Sequence, residues 1–81
     1  MNPSIAIIGL GYVGFPLAVE FGKIYPTLGF DIDASRIDEL KSGVDRTQEV
    51  SAGQLAESKN LLFSSQVTDL ESCNTFIVTV P

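Results

Sequence analysis

"IAIIGLGYVGFPLAVEFGK", Ile5 to Lys23, decides the fold. Ser4 to Ile8 is a continuous run rich in isoleucine, with no alternation of polar and apolar residues. That pattern suits a strand buried on both faces of a parallel sheet. A glycine turn follows, Gly9 to Gly14. Tyr12 to about Ile24 then reads as a helix, with Val13, Leu17, Ala18, Phe21 and Ile24 near one face. Pro16 lies close to its first turn, where a missing N–H costs little, and Pro26 ends it. The stretch therefore passes from buried strand through glycine turn to helix.

Working outward, "TLGFDI" (Thr27 to Ile32) reads as a second strand. Asp33 is placed to cap a helix reaching Lys41, with Ile37 and Leu40 as apolar contacts. Gly43 closes that helix. "VDRTQEV" is a polar connection without periodicity. Ser51 and Gln54 form an S-x-x-Q capping box that opens a short helix to about Lys59. Leu61–Ser64 is a short strand, Val67–Ser72 a brief helical turn, and "TFIVTV", Thr75 to Val80, a β-branched fourth strand. The order β-α-β-α-(α)-β-α-β implies an α/β, Rossmann-like half-domain. Its parallel sheet is expected to have four strands in the order 3-2-1-4.

Composition narrows the function. The chain has 81 residues, enough for one small domain. Its formal net charge is −5, so general electrostatic binding of nucleic acid is not expected. There is no histidine and a single cysteine, Cys73, so no histidine or Cys/His metal site and no intrachain disulfide can form. The lone cysteine reads as a small, partly buried residue, and it suits a reducing cytoplasm. Ile5 to Val19 carries no charge, but Gly9, Gly11, Gly14 and Pro16 interrupt it and no basic residue precedes it. It is neither a signal peptide nor a membrane span, and a cytoplasmic location is expected.

Gly9-Leu10-Gly11-Tyr12-Val13-Gly14 is G-x-G-x-x-G between a buried strand and a helix, the context of a dinucleotide fingerprint. Gly9 allows the tight turn, Gly11 lets the backbone approach a pyrophosphate, and Gly14 lets the helix pack on the strand. Tyr12 and Val13 supply N–H groups at the positive end of the helix dipole. A ribose-binding acid is expected about 20 residues on, and Asp31 stands 22 positions after Gly9. A carboxylate there repels a 2′-phosphate, so the expected cofactor is NAD rather than NADP. Arg36 reads equally as a group near the adenosine ribose or as an exposed helix residue. Asp33 reads as a helix cap, and Arg46 and Thr47 as a solvated loop.

"IAIIGLGYVGFPLAVEFGK", "GFDIDASRIDELKSG" and "FIVTVP" together resemble the N-terminal domain of the nucleotide-sugar (UDP-glucose/GDP-mannose) dehydrogenase family over nearly the whole chain. The GYVG-x-P extension is more specific than the three glycines. "GVDRTQEV" is similar to the branch acting on UDP-N-acetylhexosamines for bacterial surface polysaccharides. The resemblance implies oxidation of the sugar C6 alcohol to a carboxylate in two NAD-dependent steps, through a thiohemiacetal and thioester on a cysteine. It matches Tyr12 and Val13 to the pyrophosphate-contacting backbone, Asp31 to the ribose acid and Arg36 to a basic residue contacting the adenosine portion. Thr79, in "TVP", matches the start of a V-P-T-P segment near the cofactor. Cys73 does not match the nucleophile, and no catalytic residue of the family falls within the chain. Residues 1–81 are therefore expected to be an inactive N-terminal part of a cofactor-binding domain. The remainder of that domain and a sugar-binding domain would lie outside it. A nucleotide sugar is the expected substrate of the parent. Homo-oligomerisation, or self-association through an apolar edge strand at "TFIVTV", is expected as well. The alternative is a non-catalytic NAD-sensing regulatory module.

Overall fold

The computed structural model describes residues 3–42 and 50–79. Strand β1 (Ile5–Ile8) leads through the glycine turn to helix α1 (Gly14–Gly22) and strand β2 (Thr27–Phe30). Helices α2 (Ala34–Lys41) and α3 (Ala52–Glu57) precede strand β3 (Leu61–Ser64). A 3₁₀ turn, Val67–Ser72, leads to strand β4 (Thr75–Val78). All three strand pairings are parallel, and the sheet order is β3-β2-β1-β4. The sheet class and strand order thus agree with the sequence reading. Gly43, Arg46, Thr47, the connection "VDRTQEV" up to Glu49, Val80 and Pro81 lie outside the described residues.

Side chains alternate along each strand, so in register Ile5, Ile7, Gly29, Leu61, Phe63 and Ile77 share one face. That face packs against Phe15, Ala18 and Val19 of α1 and Ile37 and Leu40 of α2, which form the core. Close packing of α1 is possible because Gly22 has no side chain. A Cβ there would collide with the Ser58 hydroxyl and come within 2.7 Å of the Leu61 Cβ. The opposite face holds Leu62, Phe76 and Val78 exposed, and β4 forms one outer edge.

Two helix caps follow the sequence. The Asp33 carboxylate accepts from the N–H groups of Ser35 (3.0 Å) and Arg36 (3.3 Å). In the capping box, the Gln54 N–H donates to the Ser51 hydroxyl (3.1 Å) and the Ser51 N–H to the Gln54 side chain (3.0 Å). Helix α1 differs from expectation. It begins at Gly14 rather than Tyr12, ends at Gly22, and leaves Val13 and Ile24 exposed. Its buried face is Gly14, Phe15, Ala18, Val19 and Gly22, with Leu17 and Phe21 half-buried beside the core. Tyr12 and Val13 sit in the turn before the helix and are exposed.

Candidate functional site

In an open parallel sheet, ligands bind beyond the carboxyl ends of the strands where the strand order reverses. Here the chain moves from β1 to β2 on one side and later returns to β4 on the other, so the reversal falls at β1. A cleft of about 710 Å³ opens there, lined by the glycine turn, Asp31, Ile32, Val78 and Thr79. That volume lies in the usual range for a small-molecule site. A larger groove of about 1110 Å³ runs around the outer edge of β3, and it does not touch the glycine turn. The cleft at the strand ends is the one that brings the glycine turn and Asp31 together.

Two glycines have definite structural demands. Gly9 has φ 101°, a backbone conformation that side chains disfavour. A Cβ on Gly14 would collide with the Gly9 carbonyl and the Thr79 hydroxyl, so Gly14 is what lets α1 start against the end of β1. Gly11 is different. A Cβ there would meet nothing within 4 Å, and Gly11 is one of the residues that line the cleft.

The polar groups of Gly9 and Leu10 are held by the Phe30 backbone and by the side chains of Asp31, Arg36 and Thr79. The Gly9 N–H donates to the Phe30 carbonyl (2.9 Å), and the Gly9 carbonyl accepts from the Thr79 hydroxyl (2.7 Å). The Leu10 N–H donates to Asp31 Oδ2 (3.0 Å), and the Leu10 carbonyl accepts from Arg36 Nε (2.8 Å). The other Asp31 oxygen, Oδ1, accepts the Asp33 N–H (2.9 Å). An ionised carboxylate offers about four acceptor sites, so Asp31 keeps roughly two for a ligand in the cleft that it lines.

Arg36 corrects one of the two readings of the sequence. It is not an exposed helix residue: only 6% of it is accessible. Its NH1 donates to Glu39 Oε1 at 2.9 Å, and its Cζ lies 5.3 Å from the centre of the Phe15 ring. Neither residue was singled out as a partner, because Glu39 looks like a surface acid and Phe15 adjoins a proline. Thr79 likewise grips the turn as well as bordering the cleft. Leu10 and Ile32 also line the cleft and were not singled out. The available signal for Ile32 was an apolar residue directly after the acid at a strand end. It is 84% exposed.

The start of α1 is open to an anion. Val13 occupies its N-cap position with no side-chain cap. Among the described residues, no carbonyl accepts the N–H of Tyr12 or Val13. These donors, the open space above Gly11 and the spare acceptors of Asp31 together suit a pyrophosphate flanked by a ribose.

Residues 3–81 match the model of the UDP-glucose/GDP-mannose dehydrogenase family, NAD binding domain. The chain belongs to that family. It carries the NAD-binding part, and NAD is the dinucleotide this domain takes. It is 56% identical over 78 residues to a UDP-N-acetyl-D-glucosamine 6-dehydrogenase of Pseudomonas aeruginosa, covering 96% of this chain and 18% of that protein. A Salmonella typhi protein of the same name is 53% identical, with the same coverage. Among solved structures, a UDP-D-ManNAc dehydrogenase from Pyrococcus horikoshii superposes with a TM-score of 0.86 at 35% identity, over 95% of this chain and 20% of that one. The chain thus spans about a fifth of the length of the relatives it matches. No helix among the described residues is long and apolar enough to cross a membrane.

Proposed function

We propose that this chain holds NAD for a nucleotide-sugar 6-dehydrogenase whose substrate is a UDP-N-acetylhexosamine, oxidised at C6 to the uronate. The observation that carries the reading is the meeting at one cleft of the Tyr12 and Val13 N–H groups and the Asp31 carboxylate. The sugar class is supported by relatives named for UDP-N-acetyl-D-glucosamine at 53–56% identity. NAD, when bound, supplies the hydride acceptor. Tyr12 and Val13 donate to its pyrophosphate, with Gly9, Gly11 and Gly14 shaping the approach. Asp31 accepts from the adenosine ribose hydroxyls and disfavours a 2′-phosphate. Arg36 supports the turn from behind the cleft, through the Leu10 carbonyl, and Thr79 borders the cofactor.

Sugar binding and cysteine chemistry belong, in this reading, to residues outside 1–81, and Cys73 has no part in them. A cytoplasmic setting and association between copies belong to the same reading. The test is NADH formation by the protein carrying these residues, supplied with NAD and UDP-N-acetylglucosamine or UDP-N-acetylmannosamine. Turnover with one of them is expected, and Asp31→Ala is expected to raise the Kd for NAD. NAD binding without turnover on any UDP-sugar would favour the sensing module. Turnover by residues 1–81 alone would overturn the division of labour.

A further inference from the structure

Arg36 is a buried cation that reaches out of α2 to the backbone of the glycine turn. Its Nε donates to the Leu10 carbonyl at 2.8 Å, its NH1 to Glu39 at 2.9 Å, and its guanidinium lies over the Phe15 ring at the start of α1. The Arg36 and Glu39 side chains are only 7% and 14% accessible. The planar fork is therefore fixed in direction by the carboxylate and the ring, and the Leu10 carbonyl is fixed by the fork.

That carbonyl shares a planar peptide unit with the Gly11 N–H. No peptide in the described residues is cis, and in a trans unit C=O and N–H point in opposite directions. Turning the Leu10 carbonyl toward the buried guanidinium turns the Gly11 N–H away from it, on the side where Gly11 is exposed. Asp31 fixes the preceding peptide by taking the Leu10 N–H at 3.0 Å.

We infer that Arg36, locked by Glu39, is a positioning residue for the pyrophosphate turn, setting the direction of the Gly11 N–H through the Leu10 carbonyl. The inference rests on the dinucleotide reading of the cleft. It assigns Arg36 an effect on the phosphate end of the ligand, separate from any contact with adenosine.

The test uses Arg36→Lys and Glu39→Gln in the protein carrying these residues. Lysine keeps the charge but cannot bridge carbonyl and carboxylate as a planar fork does. Glu39→Gln leaves Arg36 in place and weakens its lock. NAD binding is measured by calorimetry, adenosine binding by ligand-observed NMR, and the Gly11 amide by ¹⁵N–¹H spectra without ligand. NAD is expected to weaken about tenfold in Arg36→Lys and a few-fold in Glu39→Gln, the scale of one charge-assisted hydrogen bond. Adenosine is expected to change less than about twofold, and the Gly11 amide resonance to move in both variants. Equal weakening of NAD and adenosine would overturn the inference, as would an unmoved Gly11 amide in Glu39→Gln. Should Arg36→Lys fail to fold, Glu39→Gln decides alone by the same readings. Failure of the wild type to bind NAD would refute the reading of the cleft itself, while the Gly11 amide would still report on the turn.

Discussion

Gly11→Ala and Gly14→Ala should fail in opposite ways. The two glycines lie in one turn, three residues apart, yet their surroundings differ completely. A Cβ on Gly14 would sit 2.8 Å from the Gly9 carbonyl carbon and closer still to its oxygen and to the Thr79 hydroxyl. The Gly9 carbonyl cannot swing aside freely. Its residue donates to Phe30 on one side and it accepts from Thr79 on the other. Relief requires α1 to lift from β1, and overpacking of this kind costs about 1–3 kcal/mol. Alanine returns up to about 1 kcal/mol of helix propensity, but at the first helical position, where propensity counts least. The clash wins. A net loss of about 2 kcal/mol lowers the melting temperature of a domain of about 150–250 residues by roughly 4–8 °C.

Gly11→Ala meets nothing within 4 Å and does not have a positive φ, so stability should change by less than about 0.5 kcal/mol. Its methyl group stands where a pyrophosphate would approach. Losing one charge-assisted hydrogen bond costs about 1.5–3 kcal/mol, or roughly 10- to 150-fold in Kd. Thermal melts and NAD titration of both variants check the pair. Normal stability in Gly14→Ala, or unchanged NAD affinity in a folded Gly11→Ala, would refute this account of the turn.

Two further outcomes follow from the same turn and sheet. Thr79→Val keeps the shape of the side chain and removes the donor to the Gly9 carbonyl. Urea unfolding should show a loss of about 0.5–1.5 kcal/mol, and no loss would mean that the 2.7 Å contact contributes nothing. Phe76 and Val78 are 51% and 63% exposed on the outer strand β4, so residues 1–81 on their own should self-associate as concentration rises. Sedimentation equilibrium tests this, and a strict monomer at high concentration would count against edge pairing.

Legibility in the sequence followed the range of the interactions. Asp33 as a cap and the Ser51–Gln54 box were readable because each bond spans three residues or fewer. The strand order was readable because right-handed crossovers leave few choices once four strands and their connections are placed. The start of α1 was misjudged because Val13 and Ile24 extend the apolar pattern, whereas burial is decided by what faces the sheet. The burial of Arg36 depends on a carbonyl 26 positions back and a ring on another helix. The grip of Thr79 on Gly9 spans 70 positions. No local pattern encodes either contact.

These long-range bonds give the glycine turn a division of labour. Both polar groups of Gly9 and both of Leu10 are paired within the protein, by Phe30, Thr79, Asp31 and Arg36. The N–H groups of Tyr12 and Val13 have no such acceptor among the described residues. In the proposed reading, a turn built this way satisfies the groups the dinucleotide does not need and leaves open the donors it does. Water can be displaced from donors already fixed in direction, so binding an anion costs little reorganisation. Asp31 then connects the two ends of the ligand. In the proposed reading, the carboxylate that offers its spare acceptors to a ribose also holds the Leu10 N–H, so the ribose contact and the shape of the phosphate turn depend on the same residue. Loss of Asp31 should therefore weaken NAD by more than the value of its ribose hydrogen bonds, because the pyrophosphate turn loosens with it.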